Sequence, residues 1–104
     1  MNQNSDFGTM HLDGATLAEV CRRYSVKELS LFGSAGRGEM RPESDVDMVV
    51  EFEPGVRVGL IKFESLAEEL EALTGRTVDL VTRRGLKPWV RPGVLKDARV
   101  IYAA

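Results

Sequence analysis

The segment 45–52, which reads DVDMVVEF, constrains the fold more than any other part of the sequence. Its apolar side chains fall on one face of an extended chain: Val46, Met48, Val50 and Phe52. Asp45 and Asp47 fall on the opposite face, although aspartate is depleted in β-strands. The segment therefore predicts a half-buried strand that holds two carboxylates about 7 Å apart at their Cα atoms.

Helices and strands alternate along the rest of the chain. Apolar periodicity and turn residues predict, in order, a helix at 15–24 with a capping box at Thr16–Glu19, a strand at 28–32, one helical turn after Ser34, the strand at 45–52, a helix at 57–73 closed by Gly75, a strand at 77–81, a short helix at 92–98 and a short strand at 100–102. This order predicts an α/β (α+β) fold with a small mixed sheet flanked by helices. Residues 1–14 lack periodicity, so we expect a flexible tail before a single domain at 15–104.

Composition narrows the function classes. The 104 residues include one cysteine and one histidine, which excludes a disulfide framework and a histidine-based metal site. No apolar run approaches the roughly 20 residues of a membrane span, and residues 1–14 lack the apolar core of a secretory signal. We therefore expect a cytoplasmic protein without membrane contact, in which any metal ion is held by oxygen ligands.

Charge is distributed unevenly along the chain. Residues 1–82 carry 8 Lys/Arg and 15 Asp/Glu, whereas residues 83–104 carry 6 and 1. An acidic body is not typical of a nucleic-acid-binding domain, so we expect no direct nucleic-acid contact. Ordinary surface variation explains the basic segment as well as a patch for an anionic ligand or an acidic partner does.

A third aspartate extends the carboxylate pair. Asp79 lies in TVDLV, where Val78 and Leu80 occupy the opposite face of the predicted strand. If this strand neighbours 45–52, the aspartates at 45, 47 and 79 converge on one divalent cation, and three oxygen ligands suit Mg²⁺ or Mn²⁺. An Asp-x-Asp pair alone also occurs in glycosyltransferases, in phosphatases and on ordinary surface strands, so the pair needs independent support.

The loop before this strand supplies that support. Gly33 and Ser34 follow a predicted strand, and small residues there let backbone N–H groups approach a phosphate, to which Ser34 adds a hydroxyl donor. Arg37 is placed to pair with a phosphate oxygen. A tight turn between antiparallel strands explains the glycines equally well, and the GxxxxGK[ST] pattern of a P-loop is absent from the sequence.

These parts together resemble a known family. The run GSAGRGE at 33–39, followed by SDVD at 44–47 and by Asp79, is similar to the signature of the DNA polymerase beta-like nucleotidyltransferases. The match is closest to their minimal prokaryotic members and covers residues 15–102 of this chain. Gly36 stands where relatives often have alanine, a difference that we expect only to loosen the turn.

The resemblance implies transfer of AMP from ATP to a hydroxyl group, with release of pyrophosphate. It implies that Gly33 and Ser34 hold the β- and γ-phosphates. It also implies that Asp45 and Asp47 ligate two Mg²⁺ ions, for which Mn²⁺ substitutes. Asp79 then completes the shell of the catalytic ion and serves as the general base.

Minimal members of this family are commonly antitoxins whose partner is a HEPN-type ribonuclease toxin. The resemblance thus implies that AMP is placed on a tyrosine of such a toxin. The alternative is a non-catalytic antitoxin that neutralises its partner by binding alone, and the retained aspartates favour the enzyme. A glycosyltransferase is disfavoured, because 104 residues leave little room for a sugar-nucleotide fold and an acceptor site. The sequence leaves room for a homodimer.

Some side chains outside this pattern also carry predictions. Trp89 lies among cations and is interpreted as a core residue beside the last helix, in preference to a stacking or docking residue. Cys21 is predicted to be a small buried hydrophobe. The acidic residues of the run 68–71 are predicted to form a solvated helix face, and His11 is expected in solvent.

Overall fold

The computed structural model describes residues 5–7, 10–37, 45–89 and 91–104. Its elements are β1 (Ser5–Phe7), β2 (Met10–Leu12), α1 (Gly14–Arg23), β3 (Val26–Phe32), α2 (Gly33–Gly36), β4 (Val46–Phe52), α3 (Leu60–Thr74), β5 (Val78–Thr82), α4 (Arg91–Asp97) and β6 (Arg99–Ala103). The predicted helices and strands are all present, with their bounds displaced by three residues at most. None of the described helices is both long and apolar enough to cross a membrane.

Strands β3 to β6 form one sheet in the order β5-β4-β3-β6. The pair β4–β5 is parallel and is connected through α3, whereas β3 pairs antiparallel with both β4 and β6. The predicted class, a small mixed sheet with helices, is confirmed. A parallel pair has a direct consequence for function, because β4 and β5 both begin at the same end of the sheet.

The apolar face of the sheet packs against α1 and α3. Fully buried side chains come from both layers: Leu29 and Leu31 in β3, Val46, Met48 and Val50 in β4, Leu66 and Leu70 in α3, and Cys21 in α1. The alternation predicted for 45–52 and the burial predicted for Cys21 are thus confirmed. Burial raises the pKa of the Cys21 thiol to about 12, so this thiol stays protonated and unreactive at neutral pH.

The ends of the helices differ in part from the prediction. Asp13 is the N-cap of α1: its carboxylate accepts a hydrogen bond from the Ala15 N–H at 3.1 Å and another from the Thr16 hydroxyl at 2.7 Å. The capping box at Thr16–Glu19 is therefore wrong, since Thr16 already lies inside the helix. Gly75 closes α3 with φ +70°, as predicted.

Two short strands precede α1, where the composition predicts no regular structure. Strands β1 and β2 pair antiparallel, with Ser5 across from Leu12. Leu12 joins the main core, where 2% of its surface is exposed. Regular structure thus begins before residue 14, whereas the predicted division into a tail and one domain stays a prediction.

Two surface predictions are wrong. Trp89 is 75% exposed and lies 5.4 Å from the Lys87 ammonium, so it is not a core residue. The acidic side of α3 is not simply solvated either, because Glu69 accepts hydrogen bonds from Arg23 and Tyr24. These bonds connect α3 to α1.

Candidate active site

The predicted aspartates meet where β4 and β5 begin and β3 ends. In the parallel pair, Asp47 lies directly across from Asp79, so the two residues share one row of the sheet. On the other side of β4, Asp47 lies across from Phe32, the last residue of β3. Because neighbouring strands are about 4.8 Å apart, this register brings both aspartates close to the end of β3. Asp45 directly precedes β4 at the same edge.

Gly33 fits this edge because it has no side chain. Its backbone has φ +64°, in the left-handed region that glycine adopts without strain. A Cβ atom at this position would lie 2.8 Å from Oδ2 of Asp47, closer than carbon and oxygen atoms approach without displacement. The turn therefore brings bare backbone against the Asp47 carboxylate.

The three carboxylates interact electrostatically. Partial burial is the main cause that raises the pKa of Asp47, and the negative charges of Asp79 and Asp45 raise it further. Asp45 and Asp79 are themselves exposed. Negative charge on the partly buried Asp47 is thus disfavoured by burial and by two carboxylates of like charge, and a nearby cation would relieve this.

A divalent cation fits this site by donor type and by charge. Carboxylate oxygens are the ligands that Mg²⁺ and Mn²⁺ prefer, and the mutual repulsion of Asp45, Asp47 and Asp79 is relieved by positive charge. Within the described residues, however, no group of three His, Cys, Asp or Glu side chains is placed to hold a metal ion as it stands. The strands place Asp47 and Asp79 in one row with Asp45 just before β4, but the three side chains have not converged around a centre.

The remaining part of the predicted phosphate loop forms the single helical turn α2. The backbone N–H of Arg37 donates to the Gly33 carbonyl at 3.2 Å, which closes this turn. Ser34 follows Gly33 in α2, and the structure describes its backbone only. The section 38–44 between the loop and Asp45 lies outside the described residues as well.

Arg37 contacts a residue that the sequence did not single out. Its Nη1 atom lies 3.2 Å from Oδ2 of Asp97, the last residue of α4. The neighbouring Gly36 packs directly against α4: a Cβ at this position would lie 2.2 Å from the Asp97 carbonyl oxygen. The same Cβ would lie 3.0 Å from the carbonyl oxygen of Leu31 in β3. The expectation that glycine at 36 only loosens the turn is therefore wrong: glycine lets α4 pack against the loop.

A signal for Asp97 was present in the sequence. Residues 83–104 hold one acidic residue among six basic ones, and that acidic residue is Asp97. Periodicity alone did not show which element this carboxylate faces, because the contact joins residues that are 60 positions apart.

A larger concave surface lies at the opposite end of the sheet. This apolar groove of about 870 Å³ is lined mainly by the 50–60 segment, by Phe63 and by residues 82–84. Phe52, five residues after Asp47, borders it, and five residues of strand span about 16 Å. The groove contains none of the predicted site residues, so we place the site by its chemistry and not by cavity size.

Comparison with known proteins finds relatives by sequence and by structure. The nucleotidyltransferase domain family matches this chain over residues 15–102. The protein adenylyltransferase MntA of Thermococcus cleftensis is 44% identical over 84 residues, which are 81% of each chain.

Solved structures share the fold. A protein assigned as a minimal nucleotidyltransferase superposes with a TM-score of 0.69 at 41% identity, covering 82% of this chain and 84% of its own. An antitoxin of the MNT type from Shewanella oneidensis, in complex with a tri-AMPylated HEPN toxin, superposes with a TM-score of 0.63 at 20% identity, covering 86% and 69%. The second likeness shows the fold alone.

Proposed function

The chain belongs to the nucleotidyltransferase domain family and is a nucleotidyltransferase, and from this we propose that it is a metal-dependent protein adenylyltransferase acting as an antitoxin. In this proposal it moves AMP from ATP to a tyrosine hydroxyl of a partner HEPN-type ribonuclease toxin. The 44% identical relative is named a protein adenylyltransferase, and the MNT antitoxin of similar fold is found with an AMPylated HEPN toxin.

One observation carries the proposal: Asp47 lies across from Asp79 on one side and against the Gly33 backbone on the other. A phosphate-binding turn and two carboxylates on one face are the parts that nucleotidyl transfer needs. In this arrangement the triphosphate lies along the Gly33–Ser34 turn, and its α-phosphate lies over the row of aspartates.

The chain's own residues have separable tasks. The Gly33–Ser34 backbone holds the β- and γ-phosphates, and Arg37 adds a guanidinium for a phosphate oxygen. Asp45, Asp47 and Asp79 would hold the divalent cations, which supply positive charge for the developing charges on the attacking and leaving oxygens.

Asp79 has a second task in this proposal. It accepts the proton of the acceptor hydroxyl while that oxygen bonds to the α-phosphorus. The bond from the α-phosphorus to the oxygen that bridges to the β-phosphate breaks, and pyrophosphate leaves. Asp79 suits this role because it is exposed beside Asp47, where an acceptor from another protein can reach it.

The test is AMP transfer to a HEPN-type partner protein. Chain and partner are incubated with ATP and Mg²⁺, and the intact mass of the partner is measured. We expect the partner to gain one or more AMP units, located on tyrosine by peptide mapping, and we expect EDTA to prevent the gain. Asp79→Asn should lower the rate by about 10²–10⁴-fold while it leaves partner binding intact.

Other outcomes of this experiment decide against the proposal. A wild-type protein that neutralises the partner without any mass gain acts by occlusion, which is the binding-only alternative. A gain that persists at full rate in Asp79→Asn removes this residue from the mechanism. A gain on serine or threonine corrects the acceptor and leaves the activity in place.

A further inference from the structure

Asp97 stands out as a residue whose position is not explained by the helix that carries it. It is the last residue of α4, and a negative charge at the C-terminal end of a helix is unfavourable with respect to the helix dipole. It is also the sole acidic residue among residues 83–104. A contact outside α4 explains its presence better than any stabilisation of α4 does.

That contact is with the Gly33–Gly36 turn and the Arg37 that follows it, and it has two independent parts. The Asp97 carboxylate pairs with the Arg37 guanidinium at 3.2 Å. The Asp97 backbone carbonyl lies so close to Gly36 that a Cβ there would approach it to 2.2 Å. One part depends on charge and the other on shape, and both act on the turn that begins at Gly33.

We propose that Asp97 is a positioning residue for ATP, holding Arg37 and the Gly33–Gly36 turn in the arrangement that receives the triphosphate. This inference rests on the proposed function, because it assumes that the turn binds phosphate. Arginine carries a long flexible side chain, and fixing it before binding lowers the entropy cost of ordering it when ATP arrives. The abutting carbonyl fixes the backbone of the turn in the same way.

The geometry favours positioning over inhibition. If Asp97 instead withheld Arg37 from phosphate, removing its carboxylate would tighten ATP binding. The two charged side chains are 47% and 37% exposed, and an exposed pair is weak compared with the attraction of a triphosphate. Such a pair orients Arg37 without withholding it. The packing at Gly36 supports the turn regardless of charge.

The experiment measures ATP affinity by calorimetry in the chain without its partner. Asp97→Ala should weaken ATP binding by roughly two- to fivefold, the usual effect of an exposed ion pair. Transfer should show the change in KM with kcat unaltered. Asp97→Ala should also unfold no earlier than the wild type, since alanine favours the helix.

Two comparisons make the result specific. In an Arg37→Gln background, Asp97→Ala should have no further effect on ATP affinity, because Asp97 then has no guanidinium to orient. Arg23→Gln is the matched control: it removes the exposed Arg23–Glu69 pair, at 2.8 Å between α1 and α3, and should leave ATP affinity unchanged.

Contrary results overturn the inference. ATP affinity that is unchanged or higher in Asp97→Ala shows that Asp97 does not position Arg37. If Asp97→Ala lowers ATP affinity equally in the wild-type and Arg37→Gln backgrounds, Asp97 acts through a residue other than Arg37. A wild type that binds ATP without transferring AMP contradicts the proposed function alone, whereas a wild type that binds no ATP contradicts both.

Discussion

Carboxylates lie at both ends of the four-stranded sheet, but among the described residues only at one end do they pair with an arginine. At one end, Asp45, Asp47 and Asp79 form no ion pair with any residue that the structure describes. At the other end, Glu28 and Glu51 both pair with the same atom, Nη1 of the Arg83 guanidinium, at 3.6 and 3.7 Å. Strand β4 therefore carries carboxylates near both of its ends: those near its start have no cationic partner among the described residues, whereas Glu51 near its end shares one with Glu28 of β3.

This difference distinguishes an end of the sheet with ordinary surface ion pairs from an end that is suited to bind a cation. The Arg83 pairs offset part of the glutamate charge where β3, β4 and β5 lie side by side, with the small stabilisation usual for exposed ion pairs. At the aspartate end, burial and like charges raise the pKa of Asp47, so the metal-free fold is less stable with that carboxylate ionised. The same repulsion favours a cation once one is offered. The following predictions test this difference.

The largest effect is expected from removing charge at each end. Asp45→Asn combined with Asp47→Asn should lower AMP transfer by more than about 10³-fold, because several kcal/mol of transition-state stabilisation depend on bound cations. It should also abolish the extra rise in Tm that Mg²⁺ gives in the presence of ATP. Both are measured on the purified protein, the second by thermal unfolding.

The matched control replaces the other pair of carboxylates. Glu28→Gln combined with Glu51→Gln removes the same number of negative charges from the opposite end of the sheet, and it should leave both transfer and the Mg²⁺-dependent rise in Tm in place. If both double variants lose the metal response equally, the metal site is not at the aspartates.

The sequence was sufficient to predict the strand faces on which the aspartates lie. It was insufficient to predict which side chains from distant elements pack near them. Alternation along 45–52 and 77–81 fixes the faces on which Asp47 and Asp79 lie, because strand periodicity is a local property. Strand alternation gives no information on the contact of Asp97 with Arg37, because that contact joins residues 60 positions apart. The prediction that Trp89 is a core residue was wrong for the same reason. The exposure of this side chain depends on which other elements cover it, and no local pattern determines that.

A smaller effect is expected from adding one methyl group at each end. Gly33 and Gly55 both have positive φ, at +64° and +81°, so alanine costs about 1–2 kcal/mol of backbone strain at either position. A Cβ at Gly55 meets nothing within 4 Å, whereas one at Gly33 meets Oδ2 of Asp47. We expect comparable losses of stability from the two alanine variants.

Only the variant at the aspartate end should lose ligand. Gly33→Ala displaces Asp47 and lowers ATP affinity by about tenfold, which corresponds to roughly 1.4 kcal/mol, and Gly55→Ala leaves it unchanged. Calorimetry with ATP and Mg²⁺ measures both. Equal affinity in Gly33→Ala and the wild type would show that the turn does not approach the phosphates.

The smallest effect is a pH dependence of stability that belongs to the aspartate end. The pKa of Asp47 is raised in the folded state, so folding favours its protonated form. The corresponding stability is fully present below the unfolded pKa and is lost as pH rises through the folded pKa. An asparagine side chain at this position cannot ionise. In EDTA, Asp47→Asn should therefore match the wild type in acid and exceed its Tm by a few degrees at neutral pH.

Metal should reverse the sign of this difference. With Mg²⁺ and ATP at neutral pH, the wild type gains the stabilisation of a bound ligand, and Asp47→Asn loses most of it, so the wild type should then have the higher Tm. Burial without cation binding would give the first result and not the second, since Asp47→Asn would keep the higher Tm in both conditions. A Tm difference that is independent of both pH and Mg²⁺ would mean that Asp47 acts through packing, and the contrast between the two ends of the sheet would then not be electrostatic.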